Sequence, residues 1–128
     1  MRDRSHADDV VQGAYNRALL DLILPAMRQT AKDHGYAITV HGSLNRDIDL
    51  VAIPWLEHNV ADPDNLVRWI CGAVSGVIGR CNFPAEWTEK PHGRKAKTLL
   101  AWCGETTAHL DLSVMPVLPA PSQSTGGR

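Results

Sequence analysis

The sequence predicts an α/β (α+β) domain in which a small mixed β-sheet packs on helices. Its 128 residues are the length of a single domain. Two long segments repeat their apolar residues with the period of an amphipathic helix. Between and after them, short segments are β-branched or alternate apolar with polar residues, as strands do. The predicted element order is α-β-β-α-β-β-β.

The first element is a helix from about residue 10 to residue 34. Pro25 predicts a kink, or a division into two helices, because its ring clashes with the preceding turn. Gly35 is suited to end the helix. The apolar face that defines the period consists of Val11, Tyr15, Leu19, Leu22, Ile23 and Met27.

Two strands and a second helix follow. The strands are predicted at residues 37–41 and 47–53, and Pro54 stops the second of them. Asp62 is the expected N-cap of the second helix, with a proline at the first helical position. That helix should end at Gly79.

Three further extended segments complete the predicted fold. They lie near residues 85–90, 95–103 and 108–115. A short turn at Gly104-Glu105 joins the last two segments into a hairpin.

Composition sets the domain boundaries and excludes several classes of protein. Residues 1–8 are polar and predicted to be flexible, residues 9–116 form the domain, and residues 117–128 form a flexible Pro/Ser/Gly-rich tail. The net charge of −1 disfavours a protein that coats nucleic acid by bulk charge. Three cysteines without C-x-x-C spacing form neither a disulfide framework nor a zinc site. No segment looks like a membrane span or signal peptide, so we expect a cytoplasmic protein without membrane contacts.

The segment at residues 40–53, VHGSLNRDIDLVAI, is the most informative for function. Asp47 and Asp49, two positions apart in a strand, point to the same face. Two such carboxylates, about 7 Å apart, repel each other unless a cation or hydrogen-bond donors lie between them. The Gly42-Ser43 turn lets backbone N–H groups and a hydroxyl approach an anion closely.

A third aspartate, Asp111, lies in the alternating segment near the end of the chain. If its strand lies beside the strand of Asp47 and Asp49, three carboxylates converge. Such a set of oxygen ligands suits Mg²⁺ or Mn²⁺. The alternative is a solvated edge strand whose aspartates face water.

Two histidines and two tryptophans are weaker candidates. His41 and His109 could join the carboxylates in a mixed site for Zn²⁺, Mn²⁺ or Fe²⁺, which would suit a hydrolase. The alternative is that each is simply hydrogen-bonded at a strand end. Trp55 and Trp87 could stack on a base.

Gly42-Ser43, the Asp47-x-Asp49 pair and the later Asp111 resemble the nucleotidyltransferases of the DNA polymerase β superfamily, in particular the minimal nucleotidyltransferases. The chain is also similar to short nucleotidyltransferase-like proteins of bacteriophages. The resemblance implies a nucleotidyltransferase-like fold, metal binding by the three aspartates, a further role for Asp111 in activating the attacking hydroxyl, and phosphate binding by Gly42 and Ser43. The loop at residues 44–46 is shorter than in that family.

Basic residues supply the remaining candidate nucleotide ligands. Arg46 could touch a phosphate or pair with the neighbouring Asp47. A second group surrounds a Pro/Gly turn and could hold phosphates or an RNA acceptor, because arginine binds phosphate in bidentate fashion and lysine acts as a point charge. The alternative is a solvated hairpin tip. This group consists of Lys90, His92, Arg94 and Lys95, with Lys97 just beyond.

The function predicted from these features is a metal-dependent nucleotidyltransferase. It would move a nucleoside monophosphate from an NTP to an acceptor hydroxyl of an RNA, a protein or a small molecule, and release pyrophosphate. Mg²⁺ or Mn²⁺ would be the cofactor, and a homodimer or a partner chain would complete the acceptor site. The alternatives are a non-catalytic nucleotide-, RNA- or protein-binding member of the same fold, or a metal-dependent phosphohydrolase.

Overall fold

A computed structural model describes residues 5–84 and 86–117 as two helices packed against a six-stranded mixed sheet. The predicted mixed α and β fold class is therefore confirmed. None of the described helices is long and apolar enough to cross a membrane. In chain order the elements are α1 (His6–Asp33), β1 (Tyr36–His41), β2 (Ile48–Pro54), α2 (Pro63–Ile78), β3 (Arg80–Asn82), β4 (Thr88–Glu89), β5 (Lys95–Cys103) and β6 (Thr106–Val114).

Helix α1 begins before its predicted start. Ser5 and Asp8 form a capping box, in which the Asp8 amide donates to the Ser5 hydroxyl at 3.1 Å and the Ser5 amide donates to the Asp8 carboxylate at 3.0 Å. The predicted helix start near residue 10 is therefore wrong, and residues 5–8 of the segment predicted to be flexible form the cap and first turn of α1. Residues 1–4 lie outside the described residues.

The predicted division of α1 at Pro25 is also wrong, because one helix runs from His6 to Asp33. Proline removes one backbone hydrogen bond of a helix. Ile23 and Met27, which are fully buried on either side of Pro25, hold both halves of the helix against the core. Burial of this face offsets the local cost of the proline.

The sheet has the strand order β1-β2-β6-β5-β3, and β4 pairs with β5. The pairing of β2 with β6 is parallel, and the other pairings are antiparallel. The last strand in sequence therefore lies inside the sheet, between β2 and β5. Since β2 and β6 run in the same direction, residues at equivalent positions of the two strands lie side by side.

The two faces of the sheet differ in burial. Every second residue of the two neighbouring strands β2 and β6 points towards the helices. Leu50 of β2 and Leu112 of β6 are such residues, and both belong to the core. Asp49 and Asp111 belong to the opposite alternation, so both point to the face away from the helices. The core thus lies between the helices and one face of the sheet, and the aspartates lie on the other, accessible face.

Several boundaries agree with the predictions. Asp62 caps α2 by accepting the Asn65 amide at 2.8 Å, and Gly79 ends the helix in a left-handed conformation (φ 101°). The Gly104-Glu105 turn joins β5 and β6 as predicted.

Other boundaries differ. Strand β2 begins at Ile48, so Asp47 lies just before it. Strand β3 (Arg80–Asn82) was not predicted, because three residues are too few to establish an alternating pattern in the sequence. The segment predicted near residues 85–90 contains only the short β4, and Ala85 lies outside the described residues. Val117 follows β6, and the rest of the predicted tail, residues 118–128, lies outside the described residues.

Candidate metal centre

Three carboxylates meet where the start of β2 lies beside the middle of β6. Asp49 and Asp111 are direct partners in the register of the parallel pair, and Asp47 immediately precedes β2. Each of the three residues offers one carboxylate oxygen, and these oxygens all lie within 4.8 Å of one another. Ligands on opposite sides of Mg²⁺ lie about 4.2 Å apart, so small side-chain rotations bring these oxygens to coordinating distances.

The electrostatics of the cluster favour a bound cation. Burial raises the pKa of Asp49, and the negative charges of Asp111 and then Asp47 raise this pKa further. The opposing influence comes from His41, which is the partner of Asp49 in the β1–β2 pair and lowers this pKa. The carboxylates therefore repel one another, and a divalent cation between them would remove that repulsion.

Gly42 packs directly against this cluster. Its φ is +82°, a conformation that residues with a side chain rarely adopt. A Cβ atom at this position would lie 2.5 Å from the Oδ2 atom of Asp49. Glycine is therefore required here both by the backbone conformation and by the proximity of the carboxylate.

Ser43 begins the short loop that leads to Asp47. Its hydroxyl oxygen accepts the backbone N–H of Asn45 at 3.2 Å, and its carbonyl accepts a guanidinium N–H of Arg17 at 2.8 Å. Of the Gly42-Ser43 pair, Gly42 contacts the carboxylate cluster, and phosphate binding by either residue stays a prediction. The backbone of Ser43 is fixed by α1.

A buried asparagine of α1 fixes the rest of this loop. Asn16 is fully buried, and its Nδ2 group donates to the carbonyls of Leu44 at 2.7 Å and Arg46 at 3.2 Å. Its Oδ1 atom accepts from Gln12 at 2.9 Å. The sequence analysis did not identify Asn16. The available signal was a polar residue on the apolar face of the helix, three residues before Leu19.

The structure gives Arg46 a different partner from the neighbouring aspartate. Its Nε atom lies 3.5 Å from Asp9 of α1, and no ion pair with Asp47 occurs among the described residues. Arg46 also lines a cavity of about 260 Å³ together with Asp47 and His109. The Nδ1 atom of His109 lies 3.8 Å from Asp47. His109 therefore lies beside the cluster, close to the carboxylates that it was predicted to approach.

A second cavity, of about 230 Å³, opens on the other side of the cluster, at Asp111. Lys90 and Lys97 both line this cavity, so two members of the predicted basic group lie near the carboxylates. The remaining lining residues are Glu86, Thr88, Ala96 and Thr98.

The rest of the predicted basic group lies elsewhere. Among the described residues, neither cavity beside the aspartates is lined by His92, Arg94 or Lys95. The Nζ atom of Lys95 lies 5.0 Å from the centre of the Trp87 ring, a cation–π distance. The Lys90 amide donates to the Arg94 carbonyl at 2.8 Å and closes a tight turn around His92 (φ 67°).

Trp87 and a second D-x-D sequence have structural roles. The indole N–H of Trp87 donates to Asp64 at 2.6 Å, and Lys97 lies 4.9 Å from the ring centre in addition to Lys95. These contacts occupy the ring that was a candidate for base stacking. Asp62 caps α2 and Asp64 accepts the hydrogen bond of Trp87. Both aspartates of the Asp62-Pro63-Asp64 sequence therefore stabilise the fold.

No protein-family model matches the sequence, and no curated protein is significantly similar to it. The resemblance to the minimal nucleotidyltransferases therefore stays a prediction, and the argument for function depends on the geometry of the site.

Proposed function

We propose that the protein is a metal-dependent nucleotidyltransferase, which transfers a nucleoside monophosphate from an NTP to an acceptor hydroxyl and releases pyrophosphate. The observation that carries this proposal is the set of three carboxylates, Asp47, Asp49 and Asp111, within 4.8 Å of one another on the open face of the sheet. The Gly42-Ser43 turn beside them supports it, as does the resemblance of these residues to the minimal nucleotidyltransferases.

The donor atoms fit Mg²⁺ or Mn²⁺ as the cofactor. All three are carboxylate oxygens, which these hard cations prefer over the softer ligands of zinc or copper. Burial raises the pKa of Asp49, and the negative charges of Asp111 and Asp47, which are not fully balanced, raise it further. A divalent cation would supply that balance.

Each residue of the centre has a role in the proposed reaction. When bound, the divalent cation offsets the negative charge that develops on the phosphoryl oxygens. Asp47 and Asp49 hold it, and Asp111 accepts the proton of the acceptor hydroxyl on a carboxylate oxygen. The hydroxyl oxygen forms a bond to the α-phosphorus while the bond from that phosphorus to the bridging oxygen breaks. Pyrophosphate leaves with the bonding electrons.

The two cavities provide room for two substrates on either side of the aspartates. The cavity of about 260 Å³ lies beside Arg46 and the loop that follows Ser43, and we assign it to the phosphates of the NTP. The cavity of about 230 Å³ lies beside Asp111 and Lys90, and we assign it to the acceptor. In this arrangement the proton-accepting carboxylate faces the acceptor.

A second candidate function is nucleotide binding without transfer. The short loop favours it, because the Asn45 amide is already bonded to the Ser43 hydroxyl and is not directed to a phosphate. A loop with fewer available N–H donors binds a triphosphate less closely. The two functions differ in their products, so one experiment separates them.

The first experiment measures thermal stability with each of the four NTPs, with and without Mg²⁺ or Mn²⁺. We expect the shift with nucleotide and metal together to exceed the shift with either one alone by several degrees at about 100 times the Kd, which corresponds to roughly 2.7 kcal/mol. Asp47→Asn should abolish this metal-dependent increase. Asp21→Asn, which removes an exposed aspartate of α1, is the matched control and should retain it.

The products then identify the reaction. Pyrophosphate together with a nucleotidylated acceptor supports the transferase, whereas free nucleoside phosphates indicate a phosphohydrolase. A metal-dependent shift without turnover indicates the binding function. The absence of any nucleotide-dependent shift contradicts both functions proposed for this centre.

A further inference from the structure

A third cavity lies at the β1 edge of the sheet, at the end of β1 that is remote from the carboxylates. Its volume is about 350 Å³, which is in the range of small-molecule sites. It lies between α1 and the edge strand β1. Its lining residues are Arg28, Lys32, Tyr36, Ala37, Ile38 and Trp55.

Trp55 presents an exposed aromatic ring on a fixed backbone. It is 53% exposed, although it follows directly after β2. Its amide donates to the Gly35 carbonyl at 3.0 Å, and the preceding Pro54 is paired with Tyr36 in the sheet. A ring held in this way can stack on a planar group without the entropic cost of ordering a loop.

The charged residues of this cavity are both cations. Arg28 and Lys32 lie four positions apart on α1, so they project from the same side of the helix. The Nε group of Arg28 donates to the Ile38 carbonyl at 3.3 Å, which anchors this side chain over the strand. No acidic residue is among the described residues that line the cavity. The site therefore complements an anion, and arginine with lysine is a typical pair for phosphate.

We propose that this cavity binds a nucleoside phosphate, with the base stacked on Trp55 and the phosphate held by Arg28 and Lys32. The exposed Ala37 contributes an apolar surface beside Trp55 that suits the flat face of a base, and the two cations suit the phosphate. The phosphate-bearing unit can be a free nucleotide or part of an oligonucleotide, because both present the same base and phosphate.

This site is separate from the metal centre. Trp55 follows Asp49 by six residues along an extended strand, which is a distance of about 20 Å. None of its lining residues belongs to the carboxylate cluster, so binding here requires no divalent cation. The inference does not depend on the proposed enzymatic function.

The test is a calorimetric titration of the full chain with AMP in the presence of EDTA. Adenosine, which lacks the phosphate, and inorganic phosphate, which lacks the base, are titrated in the same way as partial probes. We expect AMP to bind and both partial probes to bind more weakly. Trp55→Leu should weaken AMP binding by about fivefold or more, because stacking on an aromatic ring is lost. Trp55→Phe keeps a ring and should restore part of the affinity, which separates stacking from a general packing defect.

Two matched controls make the test specific. Trp69 is 57% exposed on α2 and does not line the cavity, so Trp69→Leu should leave AMP binding unchanged. Lys32→Gln should weaken binding and reduce its dependence on salt, whereas Arg68→Gln removes a positive charge elsewhere on the surface and should not. No AMP binding in EDTA, or equal losses in Trp55→Leu and Trp69→Leu, would overturn the proposal.

The source of the ligand follows from a second titration with a five-residue oligoadenylate. Binding tighter than that of AMP, with a steeper salt dependence, identifies an oligonucleotide site. Equal affinities identify a site for free nucleotides. Because both titrations contain EDTA, their outcome is independent of whether the carboxylate centre is active.

Discussion

Asp49→Asn removes one negative charge from the carboxylate cluster while it keeps the size and shape of the side chain. The carboxylate oxygens lie within 4.8 Å of one another. A pair of like charges at that distance costs about 1 kcal/mol in a water-like medium and about 3.5 kcal/mol at an effective dielectric constant of 20. Because Asp49 is only partly buried, solvent screening places the cost near the lower value. The variant should therefore be more stable by about 1–2 kcal/mol without metal.

The expected stabilisation depends on pH with a definite sign. The pKa of Asp49 is raised in the folded protein by burial and by Asp111 and Asp47, above the value of about 3.9 in an unfolded chain. The destabilisation by its charge is therefore absent below about pH 3.9 and complete above the folded pKa. The difference in stability between Asp49→Asn and the wild type should shrink as the pH falls towards 4.

Thermal unfolding in EDTA at pH 7.5 measures the stabilisation of Asp49→Asn without metal. The same measurement with Mg²⁺ or Mn²⁺ measures how much stability each protein gains from the cation. For a domain of this size, about 1–2 kcal/mol corresponds to a Tm increase of about 3–8 °C. The wild type should gain stability from the cation and the variant should gain little. The difference in Tm between them should therefore shrink or change sign. Asp21→Asn should change neither value.

Either of two results would refute the reasoning. If Asp49→Asn lowers the Tm in EDTA, the carboxylate stabilises the fold and does not belong to a repulsive cluster. If the variant responds to the cation as the wild type does, the cation binds elsewhere. Either outcome removes the geometric basis of the proposed centre.

Three further substitutions test other parts of the structure. Gly42→Ala should destabilise the protein by about 1–2 kcal/mol, because of its positive φ and the clash with Asp49, and should weaken cation binding measured by titration calorimetry. Asn16→Ala should cost about 2 kcal/mol or more in urea unfolding, since two loop carbonyls lose their buried donor, and should also weaken cation binding. Pro25→Ala should raise the Tm without affecting cation binding, because it restores a backbone hydrogen bond in the middle of α1; an unchanged or lower Tm would show that the proline is favourable where it stands.

The elements that the sequence predicted well carry strong local signals. The cap at Asp62, the end at Gly79 and the Gly104-Glu105 turn each depend on the chemistry of one or two residues, and local chemistry is visible in a sequence. The N-terminus of α1 was missed although Ser5 and Asp8 form a capping box there. The polar composition around it suggested flexibility and masked that signal.

The candidate site was predictable in its residue types but not in its geometry. Asp47, Asp49 and Asp111 were identified from the resemblance and the strand pattern, whereas their meeting depends on the parallel pairing of β2 with β6. Pairing over that distance in sequence follows from how the whole sheet assembles. Asn16 was missed for a related reason, because its role comes from contacts with a distant segment.

The central position of β6 has a consequence for the growing chain. Of the described strands it is the last in sequence, yet it fills the gap between β2 and β5 and carries the third carboxylate. Until it is inserted, both of its neighbours present unpaired edges, which are prone to pair with other chains. A sheet without β6 brings together only two of the three carboxylates of the proposed centre. Cation binding at that centre would therefore report chains in which β6 has been inserted.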